Sequence, residues 1–274
     1  MTNGLALTIE GLSRLTRARL FWPVLGIGLG VALVWLKLLF VDAANARAPA
    51  NTWDLVLMLQ NNAFVLVFIL LVPCSIAVGR LLNEDDESGY RSLVCLRLGG
   101  SATWVYPVSA VAVMLCTAIG LAIAEGSAWM AVGWIALGHL GSSWSTFAKA
   151  HSVYWLLPTR VLVRSPIRAA LLSLLSNSVA IFSITCLAAG VGQWVNSAYG
   201  TVGAATFLGV LSLWLSHGTT GEFWSPVASG IWMLHGPQPL TPSLPSDWPW
   251  IYLSGIALAG AGLMVIRHLT LETW

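Results

Sequence analysis

Four consecutive acids, Glu84, Asp85, Asp86 and Glu87, stand in "LLNEDDESGYRSLVCLRLGG" (81–100), in a chain of 274 residues that is 57% hydrophobic and only 9% charged. Clustered carboxylates admit two chemistries. They can hold Mg²⁺ and through it a diphosphate, as a Mg-dependent lipid-modifying (prenyltransferase-like) membrane enzyme would require. They can instead offer complementary charge to a protein partner. The first chemistry needs a second acidic cluster to share the metal ions and the leaving-group charge. The remaining acids, Glu10, Asp42, Asp54, Glu125, Glu222, Asp247 and Glu272, are scattered, which disfavours it. A third account asks nothing of the acids beyond keeping a loop polar, as in a non-transporting membrane anchor.

Other reactive residue types form no catalytic or metal-binding pattern. The five histidines (His139, His151, His217, His235, His268) lack HExxH or comparable spacing, and no GxSxG elbow is present. Cys74, Cys95, Cys116 and Cys186 lie in or beside apolar segments without CxxC or Cys/His spacing, and read as packing residues. Two polar steps interrupt the apolar runs: Gln60, Asn61 and Asn62 in one, and Ser173, Ser176, Asn177 and Ser178 in another. Either step could line a translocation path, and either could hydrogen-bond packed helices. Lys37 is a functional candidate inside an apolar run, or a residue that snorkels to the interface.

The elements that must position these groups are membrane spans. A mean hydropathy of +0.79 with Trp 15 is that of an integral membrane protein, and runs such as Phe21–Val41 and Leu55–Gly79 can cross a hydrocarbon core of about 30 Å as helices. They lack the strict alternation of barrel strands. A cleavable signal peptide is rejected because Phe21–Val41 is too long for one. Residues 1–20 put Leu5, Ile9, Leu12 and Leu15 on one helical stripe beside Arg14 and Arg17, predicting an N-terminal interfacial helix. Residues 21–274 then form one transmembrane domain. A net charge of +2 gives no reason to expect a nucleic-acid partner.

Arginines 14, 17 and 19 place the start of the first span in the cytoplasm, and Arg80, Arg91 and Arg97 place the end of the second there. Pro73 should kink that second span. The third is expected from Trp104 to Ala124, ending outward at Glu125. Two topologies compete beyond it. In one, 125–168 is an external insertion, the link "QWVNSAYG" (193–200) is cytoplasmic, and six spans leave both termini inside. In the other, 128–147 is itself a span, Arg160–Arg168 face the cytoplasm, and 201–215 re-enters from outside. A Pro- and Trp-rich external loop, 218–249, precedes a last span, Trp250–Ile266. Its tryptophans read as interfacial anchors.

On this map "EDDESGYRSL" followed by "RLGGSATWVYP" resembles the acidic-Gly motif, small-residue turn and re-entering span of ABC-2 type transporter permeases. The two spans joined by "GQWVNSAYG" are similar to that family's fourth and fifth, whose link is cytoplasmic. The resemblance therefore favours the six-span topology. The chain departs from the family in carrying Tyr90 where Thr is frequent, and in the length of 125–168. The resemblance implies an all-α polytopic permease with a cytoplasmic coupling loop, 80–103, whose short helix presses on a separate motor. The coupling residues would be Glu84, Asp85, Asp86, Glu87, Gly89, Arg91, Leu93 and Arg97, with Gln60, Asn61, Asn62, Ser176 and Asn177 as a translocation path.

It further implies an ABC ATPase partner, a second permease subunit in a homo- or heterodimer, surrounding lipids, and export of a hydrophobic or amphipathic substrate across the inner (plasma) membrane. The chain has no G-x-x-x-x-G-K-[ST] loop, so no cofactor is expected in it; ATP and Mg²⁺ belong to the partner. Single cysteines replacing Arg160, Arg164 or Arg168 in a background lacking native cysteines should react with an impermeant thiol reagent on intact cells. Protection there, with labelling at Asn196, would reverse the sidedness of these segments.

Overall fold

The computed structural model describes residues 2–17, 21–90, 93–94, 96, 102–138, 140, 143–150, 165–195, 197–215, 224–227 and 248–272. Among them every extended element is helical and none is a strand. The chain is an all-α polytopic membrane protein, as expected, because a helix satisfies its own backbone in lipid. The helices are α1 (Thr2–Arg17), α2 (Phe21–Asn45), α3 (Thr52–Gln60), α4 (Ala63–Val65), α5 (Val72–Glu87), α6 (Ala102–Leu137), α7 (Thr146–Ala150), α8 (Pro166–Val195), α9 (Ala198–Leu215) and α10 (Trp248–Glu272). Leu66–Leu71, between α4 and α5, is π-helical. Five stretches are long and apolar enough to cross a membrane: Gly26–Asn45, Ala63–Asp85, Trp104–Leu137, Pro166–Val195 and Trp250–Thr270. The apolar helix Tyr199–Leu215 is shorter.

Two expected boundaries are corrected. The second span is not continuous from Leu55 to Gly79, because the helix breaks at Asn61 and Asn62. Before the break, α3 is started by a capping box: the Asn51 side chain accepts from the backbone of Asp54 while Asp54 accepts from the backbone N–H of Asn51 at 2.7 Å. After it, the Asn62 side chain accepts from Phe64 and Val65 N–H at 3.0 and 3.2 Å, starting a second helix. The π segment follows, with Val72 N–H donating to the Val67 carbonyl. Pro73, which has no N–H to give the α pattern, stands immediately after it.

The third span does not end at Glu125. It continues through "GSAWMAVGWIAL" to Leu137, 36 residues in all, and stops at Gly138, whose positive φ of 78° suits a helix C-terminus. No turn separates 128–137 from the preceding span, so 128–147 is not a span of its own, and the expected insertion loses its first thirteen residues to the helix. Residues 151–164, 216–223 and 228–247, which carry most of the rest of that insertion and of the external loop, lie outside the described residues.

The hub of the bundle is α8, which packs on α3, α5, α6, α9 and α10. Its buried positions are small, among them Ala169, Ser173, Ala180, Ser183, Ala188 and Gly190, so neighbouring backbones come close without a large side chain between them. The α8–α10 crossing is the tightest: a Cβ on Gly260 would collide with the Cys186 carbonyl, and one on Gly190 would lie 2.8 Å from the Gly260 oxygen. Outward positions such as Ile27, Leu33 and Val34 of α2 or Ile251 and Leu258 of α10 are exposed and apolar, which suits a lipid-facing surface.

Interhelical contacts sort the helix ends into two groups. Arg14 of α1, Asp85 of α5, Tyr106 of α6 and His268 of α10 meet at one end, here called the near end. Trp194, at the end of α8, joins it by donating to the Leu263 carbonyl at 3.3 Å and lying under the Arg267 guanidinium. The start of α3 belongs to the far end, where Asn51 donates to Ser143 O and Phe147 N–H donates to Pro49 O.

Gly260→Ala should lower stability by about 1–3 kcal/mol through overpacking. Gly262→Ala, on the same helix with nothing near its absent Cβ, should be neutral or gain about 0.5 kcal/mol from helix propensity. Thermal unfolding of the two variants in one detergent makes the comparison, and equal midpoints would refute the close crossing.

Candidate functional site

The acid run is the last turn of α5 rather than a free loop. Helical spacing places Arg80 four residues before Glu84, and its Nε donates to Glu84 Oε1 at 2.7 Å. By the same spacing Asn83 donates to Glu87 Oε1 at 2.6 Å. The helix ends at Gly89, where φ is +68°. Leu93 N–H then donates to the Gly89 carbonyl at 3.0 Å, opening a short helical stretch.

The four acids play different parts. Asp85 is buried and faces inward, where Arg14 of α1 forms an ion pair with its Oδ1 and the Tyr106 hydroxyl donates to its Oδ2 at 3.0 Å. Arg14 also reaches Glu84 at 3.5 Å. Glu87 is exposed. The expectation that all four acids offer charge outward therefore fails for Asp85, whose carboxylate already has a cation and a hydroxyl. Glu84 is shared between Arg14 and Arg80. The side chain of Asp86, and all of Arg91 and Arg97, lie outside what is described.

A second contact ties α1 to the turn after α5. The Tyr90 hydroxyl donates to Glu10 Oε2 at 2.7 Å, and the Arg14 guanidinium lies 5.5 Å from the Tyr90 ring centre. Burial raises the Tyr90 pKa, and its bond to Glu10 raises it further. Burial alone would lower the Arg14 pKa, but the Asp85 hydrogen bond and charge outweigh it and hold it above its usual value. The Arg14 guanidinium thus stays charged and the Tyr90 phenol protonated at neutral pH. A small cavity lies beneath it, lined by Gly11, Arg14, Leu82, Asp85, Tyr90 and Tyr106. Gly11 lets α1 settle on α6, its absent Cβ 3.0 Å from Val113.

Past Gly89 the described residues include three apolar ones of unequal burial. Val94 is buried, whereas Leu93 is 53% and Leu96 81% exposed. Three residues apart on a helical stretch, these two leucines share a face, and Glu87 at the end of α5 is also exposed.

The polar steps expected along a path meet at the helix break. Asn177 Nδ2 donates to the Gln60 carbonyl at 2.7 Å and Ser173 Oγ to Asn61 Oδ1 at 3.0 Å, so α8 satisfies backbone and side-chain groups where α3 stops. Asn62 is spent on capping, and Ser176 bonds the Leu172 carbonyl of its own helix at 3.0 Å. Gln60, Asn61 and Asn177 are thus brought together as a joint between helices, and Ser176 is not part of it. Lys37 is exposed on α2.

Sequence reasoning missed three residues. Arg14 was read only as a topology signal, and Tyr106 not at all; their partner Asp85 lies 71 and 21 positions away. Glu125 was read as the end of a span, whereas it is buried inside α6; the helix-compatible sequence following it was the available signal. Comparison with known proteins finds no match for the chain among protein-family models, curated proteins or solved structures.

Proposed function

We propose that the chain is the membrane subunit of an ATP-driven transporter of the ABC-2 type, exporting a hydrophobic or amphipathic substrate across the inner membrane. It would pair with a second permease subunit and be driven by separate ABC ATPase chains that hold the ATP and Mg²⁺. The observation that carries this reading is that the acidic end of α5 is followed within ten residues by exposed leucines: Glu87, Leu93 and Leu96 are all exposed. A docking element needs such an apolar knob within a charged rim, and it needs a stiff base. The base is supplied by Arg14, Asp85 and Tyr106, which bind α1, α5 and α6 to one another.

The sorting of helix ends supports six traverses with both termini on one side. Taken in order, α2, the α3–α5 segment, α6, α8, α9 and α10 alternate between the near and far ends. At 18 residues α9 reaches about 27 Å, close to the hydrocarbon thickness. The near end would be cytoplasmic, since Arg14 and Arg80 lie there. The magnesium-enzyme reading draws no comparable support, because the carboxylates of Glu84 and Asp85 are already engaged by arginine.

Coupling and structural roles separate experimentally. Glu84→Ala combined with Glu87→Ala should insert into the membrane normally and lose stimulation of the partner ATPase down to its basal rate, together with transport. Stimulation at the wild-type level in the double variant would defeat the coupling assignment. Arg14→Ala and Asp85→Ala should each loosen α1 from the bundle, and a double-mutant cycle on thermal stability should give a coupling energy of about 1–3 kcal/mol. Strictly additive effects would show that the pair contributes nothing to holding α1.

A further inference from the structure

Glu125 sits on α6 within the membrane-spanning stretch Trp104–Leu137. It is fully buried, and neither of its carboxyl oxygens meets a hydrogen-bond donor. Its place is made by Gly28 of α2: any Cβ there would collide with the carboxyl group, which fills the notch that the missing side chain leaves. One helical turn along, on the same face, Trp129 is buried with its indole N–H also lacking an acceptor. On the adjoining side of α6, a Cβ on Gly126 would lie 3.6 Å from Nε2 of Gln60, whose Oε1 is likewise unpaired.

Among the described residues, the charged and titratable groups of the surrounding helices offer Glu125 no cation. On α2, Lys37 is nine residues past Gly28, about 13 Å along the axis, and exposed; Asp42 is farther still. On α3, Asp54 is buried and accepts from Asn51. Glu10 and Arg14 of α1, Asp85 of α5 and Tyr106 of α6 itself are joined to one another at the near end, where Arg267 and His268 of α10 also lie. On α8, Arg168 is exposed. The thiols Cys74 and Cys186 are buried on α5 and α8, and Cys116 is exposed on α6. An ionised carboxylate enclosed without a donor or a cation is far costlier than the neutral acid, and the notch at Gly28 is filled by the carboxyl group itself.

We propose that Glu125 is a membrane-embedded proton site, loaded while α2 is seated on α6 through Gly28 and emptied when the two helices part. Parting admits water, the O–H bond of the acid breaks, and the proton passes to that water while the electron pair stays on the carboxylate. By linkage, a bound proton favours the seated arrangement to the same extent that seating favours the proton. This site goes beyond the docking surface at the end of α5 and stands whether or not an ATPase binds there.

The full chain in lipid nanodiscs should show, by infrared difference spectroscopy, a carboxylic C=O stretch sensitive to hydrogen–deuterium exchange. It should be present at neutral pH, absent from Glu125→Gln, and altered in frequency by Gly28→Ala. Absence of the band from the wild type at neutral pH, or its indifference to Gly28→Ala, would overturn the site; these two arms decide even where Glu125→Gln does not fold. Helix parting is read at Ala32, buried one turn beyond Gly28. Ala32→Cys in a background lacking native cysteines should react with a small thiol reagent severalfold faster at alkaline pH, relative to the same cysteine combined with Glu125→Gln. An equal pH dependence in both backgrounds would overturn the link between proton and helix movement.

Discussion

Hydrocarbon supplies no hydrogen-bond partner, so every backbone group that a helix leaves open must be closed from within the chain. The break between α3 and α4 is the severest instance. At a helix end the final carbonyls have no N–H to receive, and the Gln60 carbonyl is closed by Asn177, while Asn62 closes the N–H groups of Phe64 and Val65. The Asn177 bond requires α8 at contact distance, which its small residues permit. The packing of α8 at the centre of the bundle and the interruption of the second span are two sides of one requirement. The buried residues of α3, including Leu55, Leu57 and Leu59, then form protein interior where a straight span would have shown one face to lipid.

At the near end the dominant force changes from apolar packing to charge. Ion pairs in open solvent contribute little, and Arg80 with Glu84 belongs to that class, both side chains being well exposed. Arg14 with Asp85 does not, since the Asp85 side chain is 8% exposed. The aspartate there also accepts from Tyr106, and the stacking of His268 on Tyr106 carries the same contact across to α10. A push delivered at Leu93 or Leu96 would enter a set of helix ends already fastened to one another, which is the mechanical condition for passing motion into the membrane.

The parts of this architecture legible in the sequence are those that depend on local composition. The apolar runs from Phe21 and from Trp250 mark α2 and α10 because hydropathy acts over a few residues. The N-terminal helix was equally readable from its stripe, and Leu5 and Ile9 of that stripe are exposed on α1. The break at Asn61 and Asn62 was visible as a polar step but not as a break, since an asparagine can cap one helix or cross to another and only the position of α8 decides. Glu125 defeated the reading for the opposite reason. A lone acid in an apolar run has the signature of a span end, and its tolerance inside α6 rests on the glycine at position 28, on a different helix. The acid run stands out in the sequence, yet its division into an inward Asp85 and an outward Glu87 is set by the rotation of α5 against Arg14.

That rotation is set in turn by the π segment. A π turn takes in about one residue more than an α turn, so Leu66–Leu71 adds an increment to the helix between its break and its acidic end. In a regular α-helix each residue turns the chain by about 100° and advances it by about 1.5 Å. Without the added increment Asp85 would point well away from Arg14 and a neighbouring residue would take its place. Gly209 of α9, whose absent Cβ would lie 2.7 Å from Val67, leaves room for the wider turn. A π turn thus shifts the angular phase of the residues after it, the carboxylates at the end of α5 among them.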